Sequence, residues 1–499
     1  MVKTKRNKYQ LLEWFDKYKH LLILTLILLL GAYLRLWRIQ DYLTFLGDEG
    51  RDVLAVKRLV VEHDIPFIGP TASVGGFFLG PIYYYFMAPF LWLFKLSPVG
   101  PAVMVALVGI ASIFLVYWLG KKLFNSQTGL VAALLYALSP VVINYSRASW
   151  NPNVVPFFTL LLIYFLLNIY QRNKLKDFFL TGVMLGIGIQ LHYLFSFLFF
   201  VAFFNLFVNR KKITKIALLT FIAGIILPLI PFLLFEVAHQ FLNTKLLLEF
   251  VFSSSDTGFS LGTFINTFFD VYRRLFVRLV SQNQNFLGVF LAAGSLVWLV
   301  WNRAKINKNT WWLFLSWLFI PLLLFGFYKK EIHDYYLGII FVAPFLLTSF
   351  FLTGRWNNKN WLAISLIILF VLVKLNWEAR PFVYPPNRQL LQTETISKFV
   401  LEKAGGKPFN FALITGQNSD HAYRYFFEIY NNPPVTIENA QKDPDRKSVT
   451  DQLLIICEVA CEPLGNSLWE VAGFGRGEIA NEWNVSVVKV YKLVPYKRQ

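Results

Sequence analysis

The 499-residue sequence is poor in charged residues and in cysteine. Charged residues make up 15% of the chain, against about 25% in a typical protein, which excludes an ordinary soluble enzyme and a disordered chain. Two cysteines are too few for a disulfide-rich scaffold or a multi-cysteine zinc site. By contrast, 56% of the residues are hydrophobic and 18% are aromatic. This composition predicts a polytopic membrane protein.

Acidic residues are also scarce beside basic ones, 29 against 48, which gives a net charge of +19. Lys and Arg in short loops mark the cytoplasmic side of a membrane protein. Basic residues cluster at the N-terminus and after several apolar runs, so the excess has a membrane explanation and nucleic acid is not an expected partner. The sequence therefore predicts a multi-pass protein of the plasma membrane with a cytoplasmic N-terminus.

A membrane-spanning helix needs about 20 mostly apolar residues. Runs of this kind lie at 20–39, 99–120, 128–145, 153–170, 214–236, 285–301, 311–327, 335–353 and 360–376. Segment 178–208 is too long for one span and has a polar break near His192, which predicts two short helices. About eleven spans follow. Segment 81–96 is predicted to lie in the outer interface, because every later basic cluster then falls on the cytoplasmic side.

Residues 1–379 form the predicted transmembrane domain, with outer loops at 40–98 and 237–284. In the second loop, 262–282 has the helical spacing of an interfacial amphipathic helix, with three arginines on its polar face.

From about Arg380 the composition becomes that of a soluble domain. Residues 380–499 alternate helical patterns, at 389–403 and 418–430, with β-rich runs, which predicts a small α/β domain. The β-rich runs are F-A-L-I-T at 411–415, P-V-T-I-E at 434–438, Q-L-L-I-I-C-E at 452–458 and V-S-V-V-K-V-Y-K-L-V at 485–494. The parity of the spans places this domain outside the cytoplasm. There Cys457 and Cys461 either form a disulfide or remain free thiols.

The sharpest chemical signal is the adjacent carboxylates of Asp48 and Glu49, in the motif F-L-G-D-E-G-R-D just past the first span. Arg51 follows them, and the flanking glycines permit tight backbone geometry. A carboxylate at the membrane surface can deprotonate an acceptor hydroxyl. The alternative is ordinary solvated loop charge.

Cations and histidines follow other spans on the same predicted side. Arg147, Lys329 and Lys330 are candidates for binding a phosphate, since arginine pairs with it in a bidentate manner and lysine acts as a point charge. The alternative is that these residues snorkel from a helix end to water.

Three further residues are candidates for a substrate site: His192, His333 and Tyr335. A satisfied structural histidine is the alternative for His192. His333, with the neighbouring Glu331 and Asp334, also makes a divalent metal conceivable, although we assign no metal or other cofactor.

The order of these features resembles the GT-C superfamily of integral-membrane glycosyltransferases. The resemblance rests on a first span ending L-R-L-W-R-I, then G-D-E, a Gly/Pro segment leading into P-I-Y-Y-Y-F, and a third span closing A-L-S-P-V-V-I-N-Y-S-R. It is greatest to the branch containing protein O-mannosyltransferases and lipid A aminoarabinose transferases. The matching motifs lie within residues 20–210, and the general arrangement of spans is similar as far as residue 376. The C-terminal domain matches no motif.

The resemblance implies a sugar donor on a polyprenyl phosphate in the lipid bilayer and an acceptor that arrives from the outer side. It implies inverting transfer with Asp48 as the catalytic base, Glu49 as the second candidate and Arg147 toward the donor phosphate. Arg51, Lys329 and Lys330 are further candidates for the donor phosphate, by their charge and their position on the same side. One departure is that related mannosyltransferases carry an acid shortly after the equivalent arginine, where this chain has Asn151 and Asn153.

Other functions remain open from the sequence. A transporter or flippase of lipid-linked sugars is the main alternative, although its charge would be spread within many spans. A ligase using a lipid pyrophosphate would need more cations, and a membrane anchor would need far fewer spans. The sequence does not identify the sugar, or whether the acceptor is a protein, a lipid or a glycan.

Overall fold

The structure, a computed structural model, describes residues 2–72, 75–253 and 256–496. These residues are mostly helical, and their α-helices are α1 (Val2–Leu36), α2 (Gly47–Lys57), α3 (Ile82–Leu93), α4 (Val99–Leu123), α5 (Ser126–Leu138), α6 (Pro140–Tyr145), α7 (Val155–Arg172), α8 (Leu175–Leu191), α9 (Ser196–Val208), α10 (Lys215–Ala238), α11 (Leu242–Ser253), α12 (Leu261–Leu279), α13 (Asn285–Trp301), α14 (Lys308–Phe325), α15 (Ala343–Thr353), α16 (Lys359–Glu378), α17 (Gln389–Ala404), α18 (His421–Ile429) and α19 (Trp469–Phe474). The strands are β1 (Asn410–Ile414), β2 (Leu453–Cys457), β3 (Gly477–Val485) and β4 (Val488–Pro495).

Short helical segments of other types join these elements. A π-helix at Arg58–Glu62 extends α2. The 3-10 helices lie at Asn151–Val154, Tyr193–Phe195, Arg210–Lys212, Arg303–Lys305, Asp334–Ile339 and Pro381–Val383.

The chain divides into two compact units. The first unit comprises Met1–Trp37, Pro66–Phe90 and Pro101–Pro385, and the second comprises Arg38–Ile65, Leu91–Gly100 and Pro386–Gln499. The start of the last segment lies close to the predicted domain boundary near residue 380. The predicted outer loop 40–98, by contrast, is divided between the two units.

The first unit contains the apolar helices. Segments long and apolar enough to cross a membrane, judged by length and composition in the described residues, are Tyr18–Leu36, Val99–Leu123, Asn151–Arg172, Lys215–Ala238, Lys308–Phe325 and Lys359–Glu378. Shorter apolar helices lie at Ile82–Leu93, Ser126–Leu138, Tyr193–Val208, Asn285–Trp301 and Ala343–Thr353. The predicted number of about eleven spans stays a prediction.

Several predicted runs differ in detail from the helices that form. The run 178–208 is two helices, α8 and α9, with the predicted break at His192. The run 128–145 is also broken, because Pro140 has no N–H to donate to α5 and instead begins α6. The helix in the run 335–353 starts only at Ala343, after a 3-10 segment.

The aromatic segment predicted to lie in the outer interface forms α3. Its 12 residues rise about 18 Å, which is shorter than the hydrocarbon core of about 30 Å. Its position in the interface stays a prediction.

Helices α8 and α10 pack closely through glycines. A Cβ on Gly182 would lie 2.1 Å from the carbonyl oxygen of Phe221, and one on Gly224 would lie 2.2 Å from that of Phe179. Larger residues would therefore push the two helices apart, which agrees with the use of small residues between membrane helices.

The second unit is built on a four-stranded sheet in the order β1-β2-β4-β3. β1 and β2 are parallel, whereas β4 pairs antiparallel with β2 and β3. All five residues of β2 are buried, because hydrophobic clusters cover both faces of the sheet. The predicted α/β character of this region is thus present in the structure.

Two details of that prediction need correction. The run P-V-T-I-E at 434–438 is not a strand, although Ile437 is buried in the core. Pro433 and Pro434 remove two ladder donors there. The strand β3 was missed, because most of its side chains are exposed and it lacks an apolar pattern.

Candidate active site

The predicted acidic motif begins a helix and is not a loop. Gly47 is the first residue of α2, and Asp48 and Glu49 lie in its first turn. Carboxylates at this end of a helix are favoured by the partial positive charge of its free N–H groups. Both predicted catalytic carboxylates therefore have a fixed backbone position in the second unit.

Glu49 is directed into the protein. It is 8% exposed, and its Oε2 accepts a hydrogen bond of 3.1 Å from the backbone N–H of Leu46. This bond is one half of a capping box. Burial raises the pKa of Glu49 to about 7, although the hydrogen bond from Leu46 acts in the opposite direction. Glu49 thus stabilises the start of α2.

Asp48 is directed outward. Its side chain is 54% exposed, and its Oδ1 accepts a hydrogen bond of 2.8 Å from Nη1 of Arg51. Arg51 also binds the buried Asp52, with 2.9 Å from Nη2 to Oδ1. Arg51 therefore contacts two carboxylates, and its predicted contact with a donor phosphate would compete with them.

The glycines on either side of the acidic pair permit close packing against α18 and the segment before it. A Cβ on Gly47 would lie 2.0 Å from Oγ of Ser419, and one on Gly50 would lie 2.3 Å from the backbone nitrogen of Ala422. The backbone N–H of Gly47 donates a hydrogen bond of 2.9 Å to Oδ1 of Asn418. The glycines are thus needed for this packing and not for a turn.

His421 is a neighbour of the acidic pair that sequence reasoning did not find. The charges of Asp48 and Arg51 both act on it, and its Nδ1 lies 2.8 Å from Oγ of Ser419. Burial lowers the pKa of His421, against the opposing charges of Asp420 and Asp48. The sequence carries no local signal for this proximity, because His421 is far along the chain from α2.

In the first unit, three predicted substrate-site residues come together in an aromatic cluster. The ring of Tyr335 lies 5.9 Å from that of His192 and stacks at 5.7 Å on that of His333. Trp150 and Tyr336 complete the cluster, at 4.5 and 4.6 Å from Tyr335. The structure thus brings the three predicted residues together, while their role in binding a substrate stays a prediction.

Lys329 and Lys330 come shortly before His333 in the chain, and both are exposed. The backbone N–H of Lys329 donates to the carbonyl oxygen of Asp256, and Nζ of Lys330 lies 3.4 Å from Oδ1 of Asp256. The side chain of Lys330 is 62% exposed, so its charge is accessible to a ligand.

The residues around His333 do not fit a metal ion. Both oxygens of Asp334 are bound by arginines of α12, at 2.8 Å from Arg274 and 2.7 Å from Arg278. Within the described residues, no group of three or more His, Cys, Asp or Glu side chains is arranged to hold a metal. Burial alone raises the pKa of Asp334, but the two arginines outweigh it and hold that pKa below its ordinary value.

Arg147 is buried, with 3% of its surface exposed, at the end of α1. Its guanidinium donates hydrogen bonds of 3.0 Å to the backbone carbonyls of Leu34, Arg35 and Trp37. Cations at the C-terminal end of a helix satisfy carbonyls that lack an intrahelical partner. The predicted contact of Arg147 with a donor phosphate stays a prediction.

The two cysteines are joined. Cys457, at the end of β2, forms a disulfide with Cys461. This settles the choice between a disulfide and free thiols.

Comparison with known proteins gives matches of two kinds. Residues 79–235 match the family model described as dolichyl-phosphate-mannose-protein mannosyltransferase. This range begins after Asp48 and Glu49, so it does not bear on the acidic pair. A search of curated proteins finds no significant match.

The fold is similar to that of solved membrane enzymes. ArnT from Cupriavidus metallidurans bound to undecaprenyl phosphate superimposes with a TM-score of 0.65 at 11% identity, over 95% of this chain and 97% of that one. The oligosaccharyltransferase AglB from Archaeoglobus fulgidus, in complex with an inhibitory peptide and a dolichol-phosphate, gives a TM-score of 0.53 at 15% identity, over 89% and 70%.

These similarities confirm the predicted fold class, a polytopic α-helical membrane protein of GT-C type with a small C-terminal α/β domain. A multi-pass membrane protein is likewise supported by the apolar helices. The likeness of this chain to the GT-C glycosyltransferases, in the mannosyltransferase and ArnT branch, is thereby confirmed.

Proposed function

We propose that the chain is a glycosyltransferase that moves a sugar from a polyprenyl-phosphate-linked donor to an acceptor on the outer face of the membrane. The family match is to a mannosyltransferase that uses a lipid-linked donor, and ArnT and AglB were each solved with a polyprenyl phosphate. The observation that carries the proposal is the exposed carboxylate of Asp48, held at the start of a packed helix.

In the proposed reaction, Asp48 removes the proton from the acceptor nucleophile. The nucleophile attacks the anomeric carbon from the face opposite the phosphate, and the bond between that carbon and the phosphate oxygen breaks. The electron pair leaves with the polyprenyl phosphate, so the leaving group needs no general acid. One displacement with one base gives inversion of the anomeric centre, by analogy with inverting hydrolysis.

The two residues beside Asp48 support it in different ways. Arg51 orients the carboxylate of Asp48 through the hydrogen bond of 2.8 Å. Glu49 fixes the first turn of α2 through its bond to Leu46 and acts as a structural residue in place of a second base. For the donor, Lys329 and Lys330 are the exposed cations that best suit a phosphate.

The test is the transfer of labelled sugar from polyprenyl-phosphate donors by the purified, reconstituted protein. The wild type is compared with Asp48→Asn, which keeps the shape of the side chain and removes its basicity. Asp41→Asn is the matched control, because Asp41 is also exposed and also pairs with an arginine, at 2.7 Å from Arg38.

We expect normal transfer by the wild type and the control, and a rate lowered by about 10²- to 10⁴-fold in Asp48→Asn. Full transfer by Asp48→Asn would remove Asp48 as the base. Movement of the intact donor across the bilayer, with no transfer by any form, would favour a flippase.

A further inference from the structure

Glu458 lies at the centre of a hydrogen-bond network in the second unit. Its carboxylate accepts bonds from three side chains: 2.7 Å from Thr415, 2.9 Å from Nδ2 of Asn418 and 2.8 Å from Tyr423. These donors come from the loop after β1 and from α18. The network fixes this loop to the end of β2.

The disulfide encloses Glu458. Glu458 follows Cys457 directly, and Cys457 is bonded to Cys461 in the sequence C-E-V-A-C. The backbone N–H of Glu458 also donates 3.0 Å to the carbonyl of Ile414, at the end of β1. The backbone of Glu458 is thus bonded to β1 and lies within the short loop that the disulfide closes, which limits the movement of its carboxylate.

The side-chain amide of Asn418 links Glu458 to α2. Its Nδ2 donates to Glu458, so its Oδ1 faces the opposite way. There Oδ1 accepts 2.9 Å bonds from the backbone N–H groups of Gly47 and Ser419. Gly47 is the first residue of α2 and immediately precedes Asp48.

We propose that Glu458 is a positioning residue for the transfer reaction: it fixes the orientation of the Asn418 amide, which in turn holds the start of α2 and the carboxylate of Asp48. This inference rests on the proposed function, in which Asp48 is the base. A carboxylate is required at 458 because it can only accept hydrogen bonds, and so it dictates which end of the amide it faces. If the amide turned over, its NH₂ group would face two N–H donors, and the contact with Gly47 would be lost.

The decisive experiment exchanges the hydrogen-bond donor and the hydrogen-bond acceptor between positions 418 and 458. Nδ2 of Asn418 lies 2.9 and 3.2 Å from the two carboxylate oxygens of Glu458, so in Glu458→Gln one of these acceptors becomes an NH₂ group that faces the Asn418 NH₂ group. This should lower kcat about tenfold, with little change in the KM for the sugar donor, since contacting groups typically couple at this level. The double variant Glu458→Gln/Asn418→Asp restores an acceptor opposite a donor and leaves an oxygen for Gly47. It should recover most of the lost kcat.

Tyr423→Phe is the matched control, because it removes a bond to the same carboxylate without touching Asn418. It should lower thermal stability and leave kcat within about twofold. If Tyr423→Phe lowers kcat as much as Glu458→Gln does, or if the double variant is no better than Glu458→Gln, the positioning role is wrong.

Hydrogen exchange of the peptide that contains Gly47 tests the same proposal without activity. Exchange should be faster in Glu458→Gln than in the wild type and should return toward the wild-type rate in the double variant. Unchanged exchange in Glu458→Gln would overturn the proposal. If exchange responds as expected but Asp48→Asn remains fully active, the positioning holds and the proposed base fails.

Discussion

Asp48 and Asp334 both pair with arginine, yet the structure holds them in opposite ways. Asp334 has both oxygens bound, by Arg274 and Arg278, and its side chain is 13% exposed. Asp48 has a bond to one arginine, Arg51, and a side chain that is 54% exposed. Under the proposed function, the ion pairs of Asp334 serve structure and that of Asp48 serves chemistry. The exposed carboxylate surface is the feature that separates the two residues.

The largest expected effect is on catalysis at Asp48. Asp48→Asn should lower the rate of sugar transfer by about 10²- to 10⁴-fold, the usual contribution of a general base, and leave the melting temperature nearly unchanged. Initial rates with labelled donor and a thermal unfolding curve measure both quantities. A large loss of stability with a normal transfer rate would mean that Asp48, like Asp334, serves structure.

Asp334→Ala should show the opposite pattern. It removes the carboxylate that Arg274 and Arg278 both bind, while Arg274 keeps a longer contact of 3.8 Å with Asp270. We therefore expect a loss of about 1–3 kcal/mol in the free energy of unfolding and a near-normal rate per folded molecule. Asp270→Ala is the control, because Asp270 lies at the surface, with 2.9 Å to Arg273 and 3.8 Å to Arg274, and its loss should cost less than about 1 kcal/mol. Equal losses in the free energy of unfolding for the two substitutions would show that the pairing of Asp334 with two arginines adds no stability beyond that of a surface ion pair.

Glu49 provides a pH test on the same helix. Its pKa is raised from 4.5 to about 7, so the folded chain binds the proton more tightly than the unfolded chain. Stability contributed by this group is therefore present below about pH 4.5 and is lost as pH rises through 7. Glu49→Gln does not ionise, so its melting temperature should fall less between pH 5 and pH 8 than that of the wild type, by about a few degrees. Parallel curves for the two proteins would show that Glu49 is not buried in this way.

The smallest effect on stability is expected at Lys330. Its bond to Asp256 spans 3.4 Å at the surface, so Lys330→Ala should change the free energy of unfolding by about 0.5 kcal/mol or less. If the lysine contacts the donor phosphate, the KM for the donor should rise about threefold to tenfold, as for the loss of one charge contact at a surface. A KM equal to that of the wild type would leave Lys330 as a solvated residue.

Much of the fold was predictable, because it depends on local patterns. The periodicity at 389–403 predicted α17 (Gln389–Ala404), and the polar break at His192 predicted the division between α8 and α9. The strand β3 was not predictable, since a mostly exposed strand carries no apolar signal and is specified by pairing with β4.

The candidate site was predictable only in part. The motif at Asp48 and Glu49 was visible, but their different roles depend on burial, which adjacent residues in a sequence do not reveal. The partners Asn418 and Glu458 belong to a region without a recognisable motif. Asn418 contacts α2 and Glu458 contacts Asn418, and both contacts arise only from the folded chain.

The hydrogen bond between Gly47 and Asn418 joins residues that are 371 positions apart. At translation rates of about 5–20 residues per second, about 20–75 seconds separate their synthesis. During that interval α2 has emerged, but the segment that packs against it does not yet exist. In a nascent chain the candidate base therefore lies on a helix whose packing partner has not yet been made. We expect sugar transfer to begin only after the last part of the chain has been made and folded.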